Sequence, residues 1–309
     1  MSQTKPIVIL GVFVADTAYR AVRQPKLGET ILGNDFKLGP GGKGSNQSVA
    51  AARLGADIAF VTRLGNDAFA DLAKKTWEDA GVTPVVTFDP ESYTGAAYIF
   101  VEEATGNNAI IISPGAAAKI AIADIEANAD LIRSASVFVT QLEQPLPAAV
   151  RALEIARQAG VTTILNPAPA ASLDDRIFTL CDYLTPNETE TEELTGMPVT
   201  SIEEARAAGD ALLKKGVGGA VITLGERGVL YHDGKTSEVV PAFKAGAVVE
   251  TTGAGDAFNG GFATGLAEGM PPLEAVRFGC AVAGISVTRP GTAPSMPTRA
   301  EVRDLLARG

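Results

Sequence analysis

Short apolar runs rich in β-branched residues alternate along the chain with stretches whose apolar positions recur at helical spacing. Ile7–Leu10, Ile58–Thr62, Val137–Thr140, Val161–Leu165, Tyr183–Thr185 and Ala220–Leu224 are nearly continuous apolar runs closed by turn residues, the pattern of strands buried on both faces. Between them, Phe69–Ala80, Ile122–Arg133, Leu146–Gln158 and Ile202–Lys215 read as amphipathic helices. Strand and helix in alternation predict an α/β fold, a parallel central sheet with helices on both faces. No internal repeat, low-complexity tract or Pro/Ser-rich linker divides the chain, so one domain over residues 1–309 is expected.

Two segments break the alternation. Ala18–Leu38 and Tyr93–Ile112 carry extended patterns such as Ala96–Val101 and Ala109–Ile112 around the turn signal Thr105-Gly106-Asn107, with no helix between them. They predict a small antiparallel β lid, contributed by about 14–42 and 92–113, over one end of the main sheet. One apolar face of such a lid needs cover from substrate or from a second subunit.

Composition narrows the function classes. A net charge of −10 argues against duplex nucleic acid or an anionic membrane as partner, because both select basic surfaces. Cys181 and Cys280 lie far apart in apolar surroundings and lack metal-ligand spacing, so buried free thiols are expected. His232 is the only histidine and precedes Asp233-Gly234 in a hairpin turn, which leaves no His-based triad or zinc site. Met1–Leu10 shows no long apolar leader and no run spans a bilayer, so a cytoplasmic location is expected.

The chemistry concentrates at Val249–Gly260. Gly253, Ala254 and Gly255 leave backbone N–H groups uncovered at a helix start, where the dipole favours an anion. Asp256 stands beside them, a carboxylate where a phosphate would bind. That placement makes sense if it takes a proton from a hydroxyl attacking the bound phosphoryl group; a plain helix cap is the alternative. Polar residues also follow the strands at their carboxyl ends, where open α/β sheets bind ligands: Asp16, Gln141, Glu143, Asn166, Asn187, Glu188, Thr223 and Gly225. Gly39–Asn46 matches the dinucleotide-binding G-x-G-x-x-G literally, yet it does not directly follow the opening strand. The P-loop pattern fails too, since Lys37 stands where its first glycine belongs and Gly44 follows Lys43. What remains is a tight glycine turn presenting Lys43 and Asn46, a cation and an amide able to bond hydroxyls.

Gly41-Gly42-Lys43-Gly44-x-Asn46, Asn166-Pro167-Ala168-Pro169, Pro186-Asn187-Glu188-x-Glu190, Thr223-Leu224-Gly225-x-x-Gly228 and Thr252-Gly253-Ala254-Gly255-Asp256 occur in this order. In motif and spacing the chain resembles the ribokinase-like (PfkB) sugar kinases from about Ile7 to Pro297. The resemblance implies Asp256 as general base for a sugar's primary hydroxyl, with Gly253, Ala254 and Gly255 as the anion hole. It implies Asn187 and Glu190 as holders of Mg²⁺ through water, and Thr223, Gly225 and Gly228, with Gly255, on the ATP side. A solvated helix face is the alternative for Glu190. By the same likeness Glu250, Thr252, Ser286, Arg289, Gly291 and Ser295 surround a monovalent cation such as K⁺; the family usually has aspartate where this chain has Glu250.

Asp16, Gly42, Lys43, Asn46 and Glu143, together with Asp256, match the positions that bond the sugar. Val14 departs from the pattern, which has asparagine there, and valine cannot bond a hydroxyl. The resemblance therefore implies an ATP-dependent kinase with a pentose acceptor, ribose at O5 leading and a deoxypentose, ketose, hexose or nucleoside as alternatives. A catalytically silent sugar-binding regulator is the alternative outside enzymes. Lys43 is the only cation evident on the acceptor side, which disfavours a sugar phosphate. A homodimer through the lid is expected.

Overall fold

The computed structural model describes residues 5–308, so positions 1–4 and 309 of the expected domain lie outside the described residues. The strands are β1 Ile7–Leu10, β2 Val14–Ala21, β3 Asp35–Gly41, β4 Ile58–Leu64, β5 Thr83–Phe88, β6 Thr94–Glu102 and β7 Asn108–Gly115. They continue with β8 Val137–Thr140, β9 Thr162–Leu165, β10 Tyr183–Leu184, β11 Gly219–Thr223, β12 Val229–His232 and β13 Ser237–Val240. Nine of them form one sheet in the order β13-β12-β11-β10-β9-β8-β1-β4-β5. Pairing is parallel from β5 through β11, and β12 and β13 close one edge antiparallel.

Alternation along β1 explains the layers. Ile7 and Ile9 face one core with Phe60, Trp77, Phe258 and Phe262, while Val8 and Leu10 face the other with Phe138, Leu153 and Leu212. All four β1 positions are buried, as a central strand covered on both faces requires.

The lid is a second sheet of order β3-β2-β6-β7. Its two hairpins, β2–β3 and β6–β7, are antiparallel as expected, but they join through a parallel seam that sets Asp16 opposite Ala97. Two other differences have local causes. The helix expected over Ile122–Arg133 breaks into Ile122–Ala127 and Ala129–Ser134 at Asn128, whose side-chain amide donates to the Asp124 carbonyl at 2.8 Å. β5 escapes the sequence pattern because Pro84 interrupts it, which only an edge strand tolerates.

Candidate active site

Two glycine-started helices meet at the carboxyl end of β1. Gly42, at φ 88°, caps the helix Lys43–Arg53, and a side chain there would overlap the Val12 carbonyl. A Cβ on Gly44 would lie 2.7 Å from Gly11 Cα, so the helix start presses on the chain just after β1. Lys43 and Asn46 thus stand on the first turn of a helix, where the sequence suggested a longer glycine turn; Gly42 alone reverses the chain.

Gly253, at φ 81°, opens the second helix, Ala254–Ala267, without a side-chain cap. Of the three amides expected to cradle an anion, that of Ala254 is committed to the Thr251 carbonyl at 3.1 Å. The N–H groups of Gly253, Gly255 and Asp256 meet no acceptor among the described residues. Nothing would lie within 4 Å of a Cβ on Gly255, so the space before the helix is open. Unpaired donors facing open space at a helix start suit a phosphate.

Asp256 is only 6 % exposed although it sits in that first turn. Asn46 Nδ2 donates to its Oδ2 at 3.0 Å and Gln47 Nε2 to its Oδ1 at 3.1 Å. Burial pushes its pKa up, opposed by the Lys43 ammonium and by the two amides. The Lys43 backbone N–H donates to Glu143 Oε2 at 2.7 Å. Burial works against charge on the Lys43 side chain, but Asp256, Glu143 and Glu190 surround it and raise its pKa overall.

Asp16 and Glu143 are carboxyls that keep their protons unusually well. Burial lifts Glu143 to about 7 against the pull of Lys43, and burial with the nearby Glu250 lifts Asp16 to about 6. Such groups donate or accept hydrogen bonds as a polyol demands. Gly41 has no side chain to collide with the Asp16 carboxyl beside it. Asn46 Oδ1 is buried without a partner, an acceptor left for an incoming hydroxyl. Asp16, Gly42, Lys43, Asn46, Glu143 and Asp256 are therefore brought together, as expected. Val14 is 5 % exposed, pairs with Gly41, and shares a face of β2 with Asp16.

On the other side, Asn187 and Glu190 cap each other reciprocally. The Asn187 N–H donates to Glu190 Oε2 at 2.9 Å, and the Glu190 N–H to Asn187 Oδ1 at 2.8 Å. Glu190 is 7 % exposed, so the solvated-face alternative fails, and burial raises its pKa. The carboxyl of Glu190 and the side-chain carbonyl of Asn187 supply the oxygen ligands that a divalent cation takes. Thr223 donates its N–H to the Pro186 carbonyl at 2.9 Å, tying the turn Gly225–Gly228 to the Asn187 loop. Gly228, at φ 98°, has Val240 backbone where a side chain would be.

Glu250 accepts the Gly291 N–H at 2.8 Å. Ser286 Oγ donates to the Ala283 carbonyl, Ser295 Oγ to the Thr292 carbonyl, and the Arg289 guanidinium pairs with Glu301. The carbonyls of Thr252, Arg289 and Gly291 accept no hydrogen bond among the described residues, a donor set that suits a large monovalent cation. A cavity of about 620 Å³ lies between the lid and this loop. Asp16 and Thr252 line it and join it to the site; Asp256 does not line it. Arg20 and Lys37 line it from the lid, two cations in the same cavity as Asp16. The sequence reading also missed Gln47, which lies in the buried polar run Ser45–Ser48 of the helix and is set apart from its neighbours by nothing in the sequence.

A carboxylate able to take a hydroxyl proton, set beside bare amides that can hold a phosphoryl group under a lid, is the arrangement of a phosphotransferase with an alcohol acceptor. Residues 7–299 match the model of the pfkB family carbohydrate kinases. Ribokinase of Haemophilus influenzae is 38 % identical over 303 residues, covering 98 % of both chains. Deoxyribokinase of Salmonella typhi is also 38 % identical, over 97 % of this chain and 98 % of its own. The structure of Arabidopsis thaliana ribokinase complexed with ribose and ATP superimposes with a TM-score of 0.91 at 33 % identity, covering 98 % of this chain and 99 % of that one. The chain belongs to the pfkB family of carbohydrate kinases.

Proposed function

We propose that the protein transfers the γ-phosphoryl group of ATP to the primary hydroxyl of a pentose, with ribose at O5 the leading acceptor. The observation that carries this reading is Asp256, buried between Asn46 and Gln47 and one residue after the uncommitted amide of Gly255. Asp256 accepts the hydroxyl proton, and the Gly253 and Gly255 amides take the charge that grows on the transferred group. Asp16, Lys43, Asn46 and Glu143 orient the sugar, and the lid excludes water so that the phosphoryl group goes to the sugar. Mg²⁺, held through water by Asn187 and Glu190, would neutralise phosphate charge. A monovalent cation would lie among Glu250 and the carbonyls of Thr252, Arg289 and Gly291, near Ser286 and Ser295, and support the turn that carries Gly253.

Val14 favours a second acceptor, a deoxypentose, because an apolar group replaces a hydroxyl partner; the deoxyribokinase relative fits that preference. ADP release measured over pentoses, deoxypentoses and hexoses, in K⁺-containing and K⁺-free buffer, tests the reading. We expect turnover with ribose and 2-deoxyribose, faster with K⁺. Asp256→Asn should lower kcat by at least ~100-fold with ATP binding nearly unchanged. Normal turnover of that variant would remove Asp256 as the base, whereas no ADP release with any sugar would overturn the kinase assignment and favour a silent sugar-binding protein.

A further inference from the structure

Beneath Asp256 runs a chain of buried side-chain amides, Gln47, Asn166 and Gln141, of which Gln47 carries no role from the sequence motifs. Gln47 is fully buried, and its Nε2 reaches two acceptors, Asp256 Oδ1 and Asn166 Oδ1, each at 3.1 Å. Its Oε1 accepts from Gln141 Nε2 at 2.6 Å. Asn166 Nδ2 in turn donates to the Thr185 carbonyl at 3.0 Å.

Amide oxygen and nitrogen are told apart by such networks, and here two anchors cannot be reversed. The Thr185 carbonyl is an acceptor only, so Asn166 must turn its nitrogen there and its oxygen toward Gln47. The Asp256 carboxylate is likewise an acceptor only. Both demands fall on one atom of Gln47, which must be the nitrogen, and its oxygen is left for Gln141. Gln141 Oε1 ends the chain, buried without a partner and facing the spaces beside Gly11 and Gly44 where side chains would collide with it.

We infer that Gln47 is the positioning residue of the reaction: locked by Asn166 and Gln141, it fixes the plane of the Asp256 carboxylate and keeps that group ionised. The inference rests on Asp256 being the base. Asn46 holds the other oxygen but also meets the acceptor side, whereas Gln47 is walled off from substrate and acts only through Asp256. The charged groups facing Asp256 are Lys43 from the same helix as Gln47, Glu143 from the loop after β8 and Glu190 from the helix Glu188–Thr195. Of these only Lys43 favours the carboxylate, helped by the Asn46 and Gln47 amides; the two acids and burial oppose it, so loss of the Gln47 donor shifts the balance toward the protonated, inactive form.

Gln47→Leu should lower kcat roughly ten- to a hundredfold while the KM values for ATP and sugar stay within about threefold. The acid limb of its kcat/KM profile should move up by about one pH unit. Gln47→Glu keeps the shape and should move that limb further, because two carboxyls then share a proton. Gln141→Met should produce a smaller shift in the wild-type background and none in Gln47→Leu, since its effect passes through Gln47. Melting curves identify the folded variants, and Gln47→Glu remains readable if Gln47→Leu does not fold. An unmoved acid limb in a folded Gln47 variant, with Asp256→Asn inactive, would overturn this inference and leave the kinase reading intact. Full activity of Asp256→Asn would instead remove the base assignment from which both start.

Discussion

Val14 and Asp16 stand two positions apart on one face of β2, the first apolar and buried, the second a carboxyl that holds its proton to about 6. A sugar hydroxyl set against Val14 loses a partner, a cost of about 1–3 kcal/mol or ten- to a hundredfold in affinity. Val14→Asn should therefore raise kcat/KM for ribose relative to 2-deoxyribose by about tenfold or more, read from competing-substrate assays; an unchanged ranking would contradict it. At this scale much was legible in the sequence. Asp256, Lys43 and Asn46 stood out because charged and amide side chains beside bare glycines have few structural uses. Gln47 did not stand out, since a glutamine on a helix is ordinary until its burial and its acceptors are known.

The two site helices are held at a fixed distance by glycines. A Cβ on Gly260, in the helix Ala254–Ala267, would lie 2.6 Å from Ala50 Cβ and 2.8 Å from the Gln47 carbonyl of the helix Lys43–Arg53. On its other side a Cβ on Gly261 would lie 2.9 Å from Gly279 Cα, in the helix Pro272–Ser286. Backbone packed this closely cannot absorb a methyl group without parting the helices. Gly260→Ala should destabilise by about 1–3 kcal/mol in urea unfolding and lower kcat more than KM, because Gln47 and Asn46 retreat from Asp256. Unchanged kcat in the folded variant would show that the helix spacing does not position the base. Most elements were legible from periodicity, since helical and extended spacing are local properties of the chain. β5 and the break at Asn128 were not, because a proline tolerated only at an edge and an amide bonding its own backbone depend on surroundings.

Across the whole molecule, the lid presents a face that its own chain leaves half open. Tyr19, Phe36 and Tyr98 cluster there, with Tyr19 and Phe36 ring centroids 5.0 Å apart, and Ile111 opposite Tyr98 is 66 % exposed. An exposed apolar face of that kind on a sheet suits a second copy of the lid. Ile111→Asp should convert a dimer to a monomer in light scattering, with a raised KM for the sugar; a wild-type monomer at micromolar concentration would exclude lid pairing.

The sequence by itself determined the alternation of strand and helix, the two glycine starts and the acid beside one of them, because each is written in neighbouring residues. Only the tertiary structure decided which of these meet. Asn46 and Asp256 bond across a separation of 210 positions, Gln47 joins them, and the lid hairpins unite through a parallel seam. Such partners are chosen by the packing of buried helices and strands, and no local period records them.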